Sequence, residues 1–219
     1  MGNDEIVLWT FQNMEDVLTA WRSGQPYRCC PFLVTYGGLL DSKGINSTDD
    51  SRASYVNSNQ SGIDINPFKR CYQWISDVMR ESIKPSPSYV DETSRPIWAW
   101  AKWTDNNGIG QTKPDLRYMA FRGERNVCKN ALIGFAMSRG NVLLSDFDLW
   151  HLPLNGIAID DEYRYIDEEA SHIEMKSIMD TWHSCIVDRE TPFGEMPEWT
   201  QACVWEIPEK SVFSIRRLN

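Results

Sequence analysis

The stretch Val142-Leu143-Leu144-Ser145-Asp146-Phe147-Asp148-Leu149-Trp150-His151 changes character halfway along. Its apolar start has the composition of a strand. Ser145-x-x-Asp148 then has the spacing of a helix capping box, and Pro153 and Gly156 bound the short helix that would follow. A chain that passes from strand to helix at so tight a corner needs a sheet with helices packed against it. The corner presents His151 and buries Trp150. Two other geometries carry chemistry. In an extended strand Asp146 and Asp148 point to one side. On a helix Asp148 and His151 are neighbours at i, i+3. Either suits a metal or a histidine oriented by a carboxylate. A metal needs further ligands, and His172 and His183 lie far along the chain. No metal site is therefore expected, and His151 stands as a candidate catalytic residue.

The rest of the chain supports an α+β reading. Ile6 to Phe11 is a β-type run. Asn13 caps a helix, with Asp16 as capping-box partner and Met14, Val17, Leu18 and Trp21 as its apolar stripe; Gly24 stops it. Phe32 to Tyr36 is a possible short strand, and the polar segment 41–62 reads as a long mobile surface insertion, either a lid or a variable loop. Asn66-Pro67 opens a second helix with a stripe of Phe68, Cys71, Tyr72, Ile75 and Met79, ended by Pro85 and Pro87. Pro96 to Ala101 alternates strictly, placing Trp98 and Trp100 on one strand face and Ile97, Ala99 and Ala101 on the other. Asn106 to Pro114 is a loop. Ala131–Ala136 and Val142–Leu144 flank a turn and suggest a hairpin. Ala202–Ile207 and Val212–Ile215 suggest another. An acidic helix between them, roughly Glu168 to Trp182, carries Met175, Ile178, Met179 and Trp182 at helical spacing. The expected fold is one domain over 1–219: a mostly antiparallel twisted sheet with two hairpins in its C-terminal half, packed by three main helices.

Charge excludes some partners. A net charge of −9 and a pI near 4.9 are wrong for an extended nucleic-acid surface or an acidic membrane. An acidic surface suits a basic protein partner, or simply keeps the chain in solution. Six cysteines without a CxxC pair do not suggest a disulfide scaffold, and no signal peptide or long apolar span is seen. Gly2 follows Met1, but Ile6 does not fit a myristoylation signal. A cytoplasmic location is expected. Ten Trp in 219 residues mark either a thick core or a flat binding cleft.

Three further groups are site candidates. Glu206 shares a strand face with Ala202 and Val204, so it is either at a strand end, paired, or a catalytic carboxylate. Thr10 and Gln12 share a face of the first strand, against Trp9 and Phe11, and either line a cleft or face solvent. In Lys113-Pro114-Asp115-Leu116-Arg117, Arg117 either grips a phosphate or carboxylate bidentately or pairs with Asp115 on the surface. The common phosphate-loop, dinucleotide, nucleophile-elbow and zinc-protease signatures are absent. His183 and Cys185, at i, i+2, do not face each other on a helix.

Leu8-Trp9-Thr10-Phe11-Gln12, Pro96-Ile97-Trp98-Ala99-Trp100, Lys113 to Arg117, Val142 to His151, and Cys203-Val204-Trp205-Glu206-Ile207 occur in that order. The set resembles a bacterial and phage family known as domain of unknown function 3841, which implies no established activity. A first strand ending in a polar triplet, a helix closed by Gly, and a late strand bearing Glu also resemble the ADP-ribosyltransferase plan. That resemblance implies NAD as cofactor. Thr10 or Gln12 would help to hold it, Trp98 or Trp100 would stack on nicotinamide, and Glu206 would grip the ribose. The usual first-strand His or Arg and a Ser-Thr-Ser segment are not found. The expectation is an NAD-using transferase acting on a protein or nucleic acid. Its alternatives are an acidic phage-type protein that blocks a host defence complex, and a non-catalytic binder of a nucleotide-like ligand using the Trp98/Trp100 face.

Overall fold

A computed structural model describes residues 4–29, 67–124, 129–167 and 170–218. The expected strand at Phe32 to Tyr36, the insertion at 41–62, the cap at Asn66, and Gly2, Cys30 and Cys128 lie outside the described residues.

The chain is α+β. Its elements in order are β1 (Glu5–Gln12), α1 (Met14–Arg22), β2 (Tyr27–Arg28), α2 (Pro67–Ser82), β3 (Ile97–Thr104), β4 (Gly110–Gln111), α3 (Met119–Glu124), β5 (Ala131–Ser138), β6 (Leu143–Asp146), α4 (Phe147–Leu154), α5 (His172–Thr181), β7 (Ile186–Val187), β8 (Thr200–Val204), β9 (Glu206–Ile207) and β10 (Val212–Arg217). One sheet runs β10-β5-β1-β3-β8-β6-β7, with β4 beside β3, and β2 and β9 form a separate ribbon. The named pairings are all antiparallel.

The two expected hairpins do not form. The strands exist, but β5 pairs with β1 and β10, while β6 pairs with β8 and β7. β8 pairs with β3 and β6, and β9 and β10 belong to different partners. The reason lies in sheet twist. Four pairings separate β5 from β6, and at roughly 20–25° each they accumulate to about a right angle. The short 3-10 turn at Arg139–Asn141 therefore carries the chain around a corner into β6, where a hairpin would fold it back. In a flat sheet β5 and β6 would lie about 19 Å apart, more than the linking residues span comfortably. The sheet must curl.

Curling gives the sheet two apolar faces. The inner face holds Ile6, Leu8, Ile97, Ala99, Ile133, Phe135, Leu144, Ala202 and Val204, and is closed by Val17 and Trp21 of α1 and by Ile207. The outer face divides. Over β6 and β8, α2, α4 and α5 bury Cys71, Trp74, Ile75, Met79, Trp150, Ile178 and Trp182 against Leu143 and Cys203. Over β1, β3 and β5, Phe121 of α3 packs with Trp9, Phe11, Trp100, Trp103 and Leu132. Gly134 permits close packing beside that second group: a Cβ there would lie 2.8 Å from the Trp9 and Phe213 rings.

Helix ends follow local chemistry. Asn13 Oδ1 accepts from Glu15 N at 2.9 Å and Asp16 N at 3.3 Å. The Asp16 carboxylate returns no bond to any described residue, being one methylene shorter than the Glu of a full box. The box is complete at α5, where Ser171 Oγ accepts from Glu174 N and Glu174 Oε2 accepts from Ser171 N. On α2 the stripe is Cys71, Trp74, Ile75, Val78 and Met79; Phe68, expected inside, is exposed at the first turn. None of the described helices is long and apolar enough to cross a membrane.

Candidate functional site

Among the described residues the cover between the two outer-face clusters is incomplete, and a cleft of about 240 Å³ opens. Trp100 and Gln201, from a transverse row of the sheet, form its floor. Trp9 pairs with Trp100, Trp100 with Gln201, and Gln201 with Ser145, so these side chains share the outer face. Trp98, one step along β3, continues the floor. Phe11, Tyr72 of α2, and Phe147, Trp150 and Leu154 of α4 complete the apolar lining. The rings interlock: Trp98–Trp150 centroids are 5.1 Å apart, Trp100–Phe147 5.0 Å and Tyr72–Trp98 5.9 Å edge to face. Glu124 and Lys129 also line the cleft and pair at 2.8 Å.

The wall is held by the strand-to-helix corner. Asp146 caps α4, its Oδ1 accepting from Asp148 N at 2.9 Å and Leu149 N at 3.1 Å. This corrects the expected Ser145–Asp148 box. Asp146 is the last residue of β6 and directly precedes the helix, whereas Ser145, one residue earlier, is buried on the outer side and its hydroxyl makes no hydrogen bond to the first turn. Asp148 lies in the acidic first turn and donates its N–H to the cap. His151 is exposed on α4, with Nδ1 2.9 Å from Phe147 O and its ring edge-on to Phe147. It does not line the cleft; Trp150 does. Among the described residues no group of three His, Cys, Asp or Glu is arranged to hold a metal.

The other candidates lie apart. Thr10 is buried on the inner face, where its hydroxyl donates to Trp98 O at 2.6 Å. It accepts from Gln12 Nε2, and Gln12 Oε1 accepts from Tyr27 OH, so the polar triplet ties β1 to β3 and β2. Glu206 opens β9 and pairs with Arg28 across the ribbon at 3.2 Å. The Arg28 guanidinium lies 3.5 Å over the Tyr89 ring. Burial raises the Tyr89 hydroxyl pKa, and the Glu206 carboxylate pushes it the same way. Arg117 lines a second, wider groove of about 610 Å³ with Trp103, Lys113, Tyr118 and Arg216. There it forks onto Asp115, with Nε 2.8 Å from Oδ2, and that hydrogen bond holds the Asp115 carboxyl below the usual range. Trp9 packs edge-on to Phe213, with the Lys113 ammonium 5.2 Å from its ring. Of the residues singled out in the sequence, Trp98 and Trp100 therefore share one cleft; Glu206, Thr10, Gln12 and His151 line neither the cleft nor the groove.

Cys71, Cys185 and Cys203 meet beneath α2. Burial pushes the Cys185 thiol up to about 12, with the Asp146 carboxylate adding to it. Burial raises Cys71 and Cys203 as well. At neutral pH these thiols are protonated and poor nucleophiles.

Gln201 escaped the sequence reading. It was legible only as a polar residue in the strand run from Thr200 to Val204, on the face opposite Glu206. Searches for similar chains find no matching family model, curated protein or solved structure. The likenesses to domain of unknown function 3841 and to the transferase plan thus rest on the motifs alone.

Proposed function

We propose that this protein binds a small planar heteroaromatic ligand, of the nucleobase or nicotinamide type, in the Trp98/Trp100 cleft. The observation that carries the reading is the cleft itself: five aromatic side chains beside Trp100 line a gap in the cover of an otherwise buried sheet face. Aromatic rings recognise flat π-systems by stacking, which contributes roughly 1–3 kcal/mol per base and tolerates many ring types. The volume is below the ~300 Å³ at which pockets for drug-sized ligands begin, which suits one ring system. A dinucleotide such as NAD would seat its nicotinamide here and extend outward. Chemistry by Glu206 would need its carboxylate at the ring, and Glu206 is instead committed to Arg28. The reading is therefore one of binding.

Thermal unfolding with nicotinamide, NAD⁺, adenine, uracil and toluene tests it. A ligand at a hundred times its Kd stabilises the fold by about 2.7 kcal/mol through linkage. Trp98→Ala should abolish the shift and Trp98→Phe should retain part of it, while Glu206→Gln should leave it unchanged. No shift with any probe, or a shift that survives Trp98→Ala and disappears in Glu206→Gln, would overturn the reading.

A further inference from the structure

Two adjacent polar side chains at the cleft, Gln201 on its floor and Ser145 buried next to it, have no side-chain hydrogen-bond partner among the described residues. Gln201 is 8% exposed and lines the cleft, yet its side-chain amide makes no hydrogen bond to any described residue. Ser145, directly opposite it on β6, is 1% exposed, and its Oγ has no partner either. Buried polar groups are nearly always satisfied, because each unmade hydrogen bond costs stability. Two adjacent exceptions on an apolar sheet face, one of them lining a cleft, mark a place where an outside group supplies the bonds.

The chemistry of that group follows from the side chain. A glutamine amide places two N–H donors beside one carbonyl acceptor in a plane. Its best complement is a ring edge with an acceptor next to a donor: the lactam of a pyrimidinone, the amino-purine edge that Gln reads bidentately elsewhere, or a pyridine carboxamide. The aromatic rings beside Gln201 lower the local polarity, so the pair of bonds discriminates more strongly than it would at the surface. We infer that Gln201 is the specificity-determining residue of the cleft, selecting planar heterocycles with an adjacent donor and acceptor, and that the Ser145 hydroxyl beside it supplies the next polar contact. This rests on the binding reading above: the tryptophans hold any flat ring, and Gln201 decides which.

Calorimetric titration of the full chain with uracil, 1,3-dimethyluracil and toluene separates the two statements. Dimethyluracil keeps the ring and loses its N–H donors; toluene keeps only the π-face. The wild-type protein should prefer uracil to both by about ten- to a hundredfold. Gln201→Met keeps an unbranched chain of similar length and removes the amide; it should bring the three affinities within about threefold while toluene binding persists. Ser145→Ala should weaken uracil and leave toluene unchanged. A uracil preference that survives intact in Gln201→Met overturns the role of Gln201 and leaves the cleft as a stacking site. Failure of the wild-type protein to bind any of the three overturns both. Unfolding midpoints of each variant confirm that the fold is retained.

Discussion

Gln201 and Glu206 are five residues apart and have opposite fates. Both are polar residues close to one apolar strand, and sequence logic favours Glu206, because a buried carboxylate must be explained. The structure explains it: Trp205 turns the chain out of β8, and Glu206 reaches Arg28 in the small ribbon. Gln201 stays in the central row, its side-chain amide without a hydrogen bond to any described residue. At this scale Gly134 gives a sharp expectation. Gly134→Ala drives a methyl to within 2.8 Å of the Trp9 and Phe213 rings. It should cost about 1–3 kcal/mol, read as a lowered denaturation midpoint with unchanged slope. Thiol titration gives another. Cys185 ionises near 12 in the fold and near 9 when unfolded. The folded state therefore holds its proton more tightly. Stability is complete below about pH 9 and falls as pH rises towards 12. The decline should be shallower in Cys185→Ala, measured by unfolding at a series of pH values.

Among the elements, α4 matters most, since it carries Phe147, Trp150 and Leu154 into the cleft. Its existence was legible from Pro153, Gly156 and the acids before it. Its cap was not assigned correctly, because Ser145 and Asp146 both fit the local pattern and only the position where the strand ends, at Asp146, shows which one adjoins the first turn. Asp146→Ala should destabilise the protein by about 1 kcal/mol, and Ser145→Ala should leave the helix start intact. Comparing the two by denaturation, with ring-ligand affinity as a second readout, separates capping from cleft chemistry. The helix α2 shows the same limit. Cys71, Ile75 and Met79 followed from helical spacing, whereas Trp74 and Val78 proved buried as well, because α4 and α5 broaden one side of the buried stripe, and Phe68 proved exposed.

For the whole molecule, the α+β class, the antiparallel sheet, and the strand or helix character of the main segments within the described residues were readable from periodicity and caps. These depend on neighbours one to four residues away. Two other properties do not. Strand order was read as two hairpins, because a short turn between two apolar runs looks the same whether the chain folds back or rounds the corner of a curled sheet. The candidate site read from the sequence joined Glu206 and His151 with Trp9, Thr10, Gln12, Trp98, Trp100 and Arg117. The structure brings Trp98 and Trp100 together in one cleft, whereas Thr10 bonds to Trp98 O, Gln12 to Tyr27 and Glu206 to Arg28, and His151 rests on Phe147 of its own helix. By itself the sequence determined the main strands and helices, but not β2, β4, α3 or β7, and that Trp98 and Trp100 share a face, since backbone period and capping are local. Tertiary structure alone decided that the described residues leave this face partly uncovered, that Gln201 lies on its floor, that Glu206 is paired with Arg28 and that Asp146 caps a helix. Pairing, coverage and burial are made by residues that are distant in the chain and adjacent only in space.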